Sequence, residues 1–123
     1  MHKRILLIEN GIDNVRSLEE KLSAAGYIVD VFESVRAETA FEKNPDRYNI
    51  VIADLQSVPD VDLRKLSTLN KDIKTLDVSA TEIIFKESEV NAVIRKPIDV
   101  NVLIQMVRKL AMPTVTLSNT YCL

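Results

Sequence analysis

The stretch NIVIADLQSVPDVDL, residues 49–63, decides how this chain folds. Asn49–Ala53 is nearly all apolar, as in a strand covered on both faces, and it runs directly into Asp54. The polar, proline-broken LQSVPDVD that follows is a loop, and a new apolar stripe starts at Leu63. A carboxylate at the carboxyl end of a buried strand is either a turn cap or a reactive group at a sheet edge.

The same alternation extends outward from this point. RILLIE (4–9) is a continuous apolar run. After Gly11 the spacing becomes helical, with Ile12, Val15, Leu18, Leu22 and Ala25 on one face, and Gly26 ends the helix. YIVDVF (27–32) reads as a second strand, and Ser34 is placed to cap a helix carrying Ala37, Ala40 and Phe41, which NP (44–45) stops. Leu63, Leu66 and Leu69 stripe a third helix, with Asp60 and Asp62 as its N-cap and first-turn charges. IKTLDVSA (73–80) is a fourth strand, Thr81–Glu89 a short helix of two turns, and NAVIR (91–95) a fifth strand. Asp99 caps a last helix with Leu103, Ile104, Val107 and Leu110 inward. Five strand–helix repeats with short loops imply a parallel sheet with helices on both faces.

Bulk properties narrow the function classes. The chain has 123 residues, enough for one domain, and 46% apolar with 28% charged residues is an ordinary globular composition. A net charge of -2 offers no basic field, so direct binding of nucleic acid or of a membrane surface is not expected. No apolar run is long enough to span a bilayer, and MHKRILLIEN lacks the length and cleavage site of a signal peptide. The single cysteine, Cys122, has no internal partner, which points to a cytoplasmic setting. Residues 1–111 form the predicted domain, and 112–123 a tail or the start of a linker.

In open parallel sheets, ligands bind beyond the carboxyl ends of the strands. Glu9 and Asn10, Asp54, Ser79, and Lys96 with Pro97 all fall there. Oxygen donors suit Mg²⁺, and a lysine beside them suits a phosphoryl group. Each residue alone has a plainer reading: Asp54 as a turn cap, Glu9 as a structural partner of Lys96, Ser79 as a turn hydroxyl. A flavin or cobalamin protein fits poorly, because ENGIDN is no phosphate-binding loop and no histidine sits at a strand end.

Taken in order, RILLIEN, YNIVIADLQSVPDVDL, TLDVSA and VIRKPIDVNVLIQMV resemble the receiver domain of two-component response regulators over residues 3–111. The resemblance implies a doubly wound, flavodoxin-like α/β fold with five parallel strands in the order 2-1-3-4-5. It implies that Asp54 accepts a phosphoryl group from a histidine kinase or phosphotransfer protein. Lys96, joined to Pro97 by a cis bond, would pair with that group, and the Ser79 hydroxyl would hydrogen-bond it. Mg²⁺ would be held by Glu9, Asn10, Asp54 and the Gln56 backbone carbonyl.

The chain departs from the family in four places. Asn10 is neutral where a carboxylate is usual, so Mg²⁺ binding is expected to be weak; Asn10→Asp should tighten it and slightly lower metal-free stability. Pro59 follows Asp54 one residue late, and the segment from Ser79 to Lys96 is short, implying a shortened or irregular fourth helix over 81–89. Val93 stands where a switching aromatic is usual. A degenerate receiver that binds a partner without phosphorylation is therefore the alternative. Its contact face would be the fourth helix, fifth strand and last helix, toward an output domain, a partner protein or a second copy.

Overall fold

The computed structural model describes residues 3–79 and 90–112. The helix expected over 81–89 and nearly all of the tail lie outside the described residues. Five strands, β1 (Arg4–Ile8), β2 (Ile28–Phe32), β3 (Ile50–Ala53), β4 (Lys74–Ser79) and β5 (Ala92–Arg95), form one sheet in the order β2-β1-β3-β4-β5. Every neighbouring pair is parallel. The helices are α1 (Val15–Ala24), α2 (Ser34–Lys43), α3 (Leu63–Leu69) and α4 (Val100–Ala111), with a 3₁₀ turn at Pro45–Arg47. The doubly wound topology expected from the sequence is the one observed.

The two-residue period of the strands sorts the core into two layers. Ile5, Leu7, Ile50, Ile52, Leu76 and Val78 face Leu18 and Leu22 of α1 and Leu103 and Val107 of α4. Leu6, Ile8, Val51 and Ala53 face Ala37 and Phe41 of α2 and Leu66 of α3. A strand buried on both sides cannot alternate with polar residues, which is why β1 and β3 read as unbroken apolar runs.

The ends of the elements are set by particular polar groups. Asp62 accepts from the amides of Arg64 and Lys65 and so caps α3, and Asp99 does the same for α4 through Asn101 and Val102. Asp60 lies outside α3. Ser34 is not the cap of α2: it is the first helical residue, Glu33 precedes it, and no side chain of the N-cap residue closes the turn. The Ser34 amide instead finds its acceptor 24 residues away, in the Asn10 side chain at 2.9 Å. At the far end of the sheet, Asp30 takes Arg4 Nη1 at 2.9 Å and the Tyr48 hydroxyl at 2.7 Å, tying β2 to β1 and to the start of β3.

Candidate functional site

Asp54 follows β3 directly, and its carboxylate is nearly enclosed, at 3% exposure. Its own loop closes on it: the amides of Gln56 and Ser57 approach Oδ1 at 3.1 and 3.4 Å, and the Ser57 hydroxyl donates to Oδ2 at 3.0 Å. Lys96, just past β5, brings its ammonium to the same Oδ2 at 2.6 Å. The crossovers put the carboxyl ends of β3 and β5 on one sheet edge, so two residues 42 positions apart form an ion pair. Burial raises the Asp54 pKa, but the bonds from Lys96 and Ser57 outweigh it and hold the carboxyl below its ordinary range.

Lys96 is anchored twice more. Its Nζ also donates to the Gly11 carbonyl, and its backbone amide donates to Ser79 O at 2.7 Å. The Lys96–Pro97 bond is cis, as expected. Ser79 ends β4 buried at 1% exposure on this same edge. Beside Lys96 a cleft of about 380 Å³ opens toward α1, lined among others by Asp13, Ser17, Lys21 and Ile98.

Other expected members are not gathered in the same way. Glu9 follows β1, where its amide bonds Phe32 O, and Lys96 makes its ion pair with Asp54 rather than with Glu9. Asn10 turns its amide oxygen to the Ser34 amide at the start of α2. Among the described residues no three His, Cys, Asp or Glu side chains come together in a way that could hold a metal ion. With Asn10 committed and both Asp54 oxygens already accepting from the protein, the site in this arrangement does not fit Mg²⁺, which requires several free oxygen ligands.

Three site residues escaped sequence reasoning. Gly11 was read only as the break before α1, yet its carbonyl holds Lys96. It adopts a positive φ of 79°, and a Cβ there would collide with Ser57 and come within 2.9 Å of Asp54 Oδ2. Ser57 looked like an ordinary loop residue. Asp77 lies in TLDVSA, and its signal was a carboxylate flanked by the apolar Leu76 and Val78 in the middle of β4. It is wholly buried, between Ala53 and Val93 in the sheet register. Its Oδ1 accepts the Leu55 amide at 2.9 Å, and its Oδ2 has no hydrogen-bond partner among the described residues. Burial raises its pKa; the Leu55 amide opposes this, the Asp54 charge adds to it, and Lys96 counters weakly.

No protein-family model matches the chain, and no curated protein matches it. Solved structures do. A CheY-like response regulator receiver domain from Methanospirillum hungatei aligns over 89% of this chain and 94% of its own, with TM-score 0.73 and 23% identity. This is the response-regulator receiver fold. A receiver from Methylobacillus flagellatus matches with TM-score 0.74 and 22% identity, over 89% of this chain and 99% of its own. The response regulator TrrA, solved in complex with the histidine kinase ThkA, matches with TM-score 0.70 and 25% identity, over 89% and 99%. Within the receiver fold of this chain, no described helix is long and apolar enough to cross a membrane.

Proposed function

We propose that this receiver serves two-component signalling by accepting a phosphoryl group on Asp54. The observation that carries the reading is the 2.6 Å pair between Lys96 Nζ and Asp54 Oδ2. A carboxylate oxygen attacks the phosphorus of a phosphohistidine on a kinase or phosphotransfer protein, the P–N bond breaks, and its electron pair returns to the imidazole. The acyl phosphate brings roughly two negative charges, which the Lys96 ammonium partly offsets. Similarity to TrrA, a response regulator solved with a histidine kinase, supports a kinase-type partner. The only chemistry in this reading is self-phosphorylation and hydrolysis of the aspartyl phosphate. A divalent cation would supply charge neutralisation for the phosphoryl group in a receiver site; with Asn10 committed to Ser34 this chain offers it few free oxygens, which leaves that task to Lys96.

A second reading, a phosphorylation-independent interaction module, is favoured by that same use of Asn10 and by Val93, which is 45% exposed and carries no ring. Its partner face centres on β5 and α4, where Val102 is also exposed. Incubation with Mg²⁺ and a small phosphodonor, followed by intact-mass analysis, separates the two. A one-phosphoryl adduct absent from Asp54→Asn supports the acceptor reading, and no adduct at saturating donor leaves the second.

A further inference from the structure

We infer that Asp77 is a positioning residue for Asp54, acting through the peptide that follows the acceptor. Its purpose rests on the acceptor reading; its geometry does not. Backbone pairing between β3 and β4 ends at the rung Ala53–Asp77. Asp54 comes next, and the chain then leaves the sheet. The Asp77 side chain carries the pairing past the end of the strand, since its Oδ1 accepts the Leu55 amide at 2.9 Å. Asp54 is therefore held on both sides by one residue, through the rung before it and the carboxylate bond after it.

The same strand sets the other half of the ion pair. Ser79, at the end of β4, accepts the Lys96 amide at 2.7 Å. β3 and β5 flank β4 and so lie about 10 Å apart. The side chains of Asp54 and Lys96 nevertheless meet across it at 2.6 Å. That meeting needs both flanks fixed to one frame, which the Asp77 carboxylate and the Ser79 carbonyl supply. Gln56 and Ser57 bond Asp54 itself, so they move with it rather than anchor it. A carboxylate that served only the packing of β4 would have both oxygens bonded, yet Oδ2 of this fully buried group has no partner among the described residues. Burying it that way weakens the fold, which leaves the Leu55 bond as its contribution.

The test compares wild type, Asp77→Asn and Asp77→Val by amide NMR in metal-free buffer. Both variants remove the charge and only asparagine keeps an oxygen for the Leu55 amide, so their difference isolates the bond from the charge. Circular dichroism checks that each is folded, and Asp77→Ala replaces the valine variant if that one does not fold. Loss of such a bond corresponds to roughly tenfold in a local opening equilibrium. The Leu55 amide should therefore exchange with solvent about tenfold faster in Asp77→Val than in Asp77→Asn. The Gln56 and Ser57 amide signals, which report their bonds to Asp54 Oδ1, should move in Asp77→Val and stay near their wild-type positions in Asp77→Asn. Leu55 exchange alike in the two variants overturns the positioning. Faster Leu55 exchange with Gln56 and Ser57 signals alike in both overturns it too, because the bond then does not reach Asp54. Phosphodonor incubation of the same proteins reads the acceptor role separately. Signals that differ between the variants, with no adduct in any protein, keep the positioning and remove the acceptor reading. An adduct that is lost in Asp54→Asn, with signals alike in both Asp77 variants, does the reverse.

Discussion

Replacing Asp77 by asparagine should stabilise this domain, and more so at high pH than at low. Asp77 is fully buried, and its sheet neighbours Ala53 and Val93 have no side-chain donor to offer Oδ2. Asparagine keeps the acceptor for the Leu55 amide, 2.9 Å away in the wild type, and removes the charge. Because the folded-state pKa of Asp77 is raised above the unfolded value, folding favours its protonated form. The stability tied to that proton is complete below the unfolded pKa, near 4, and is lost as pH rises through the folded pKa. Asparagine has no proton to lose, so the two proteins should converge near pH 4 and separate above it. An uncompensated buried polar group costs about 1–3 kcal/mol, which bounds the gain at pH 8. For a domain of this size that is roughly 4 °C in Tm per kcal/mol. Urea unfolding followed by circular dichroism at pH 4.5, 6, 7.5 and 9 measures the difference directly. Asp77→Asn no more stable than wild type at pH 7.5 and 9, or a difference independent of pH, would refute the reasoning. Asp77→Ala is the contrast: it leaves the Leu55 amide without this acceptor and opens a cavity, so it should be less stable than Asp77→Asn throughout.

Two further outcomes follow from other polar contacts. Tyr48, 2% exposed, has its pKa pushed up to about 12 by burial and by its bond to Asp30, against the pull of Arg47 and Arg4. Its neutral form therefore stabilises the fold below pH 10, and this is lost between pH 10 and about 12; Tyr48→Phe should cost about 1 kcal/mol at pH 7 and flatten that alkaline loss in chemical unfolding. The sequence alone suggested that Asn10→Asp would weaken the metal-free protein. Because the Asn10 oxygen receives the Ser34 amide at the start of α2, a carboxylate there meets a helix N-terminus. Metal-free stability should hold or rise by up to about 1 kcal/mol in thermal melts, and a clear fall would show that the carboxylate faces Asp54 instead.

The architecture was legible because its signals are local. Unbroken apolar runs at 5–8 and 50–53, short and set between turn signals, read as strands covered on both faces, and the stripes through Leu18, Leu22, Leu103 and Val107 read as one-sided helices. Alternation of the two, with the handedness of parallel crossovers, places Asp54 and Lys96 on one edge before any coordinate is known. Asp62 and Asp99 could likewise be read as caps, since a cap acts within three residues of itself.

What tertiary structure alone decided is where each side chain turns at that edge. Asn10 could face Asp54 or α2, and the unpaired amide of Ser34, exposed to that choice only once β1 and β2 are adjacent, draws it to α2. Gly11 and Ser57 are 46 residues apart in number and carry no mutual pattern; the packing of the first loop on the third makes one the condition for the other. Asp77 became a buried carboxylate because β4 lies inside the sheet between β3 and β5, a position set by strand order and not by the six residues of the strand itself. Periodicity reports which face is apolar, whereas hydrogen bonds between distant loops depend on distances of a few tenths of an ångström that exist only in the folded chain.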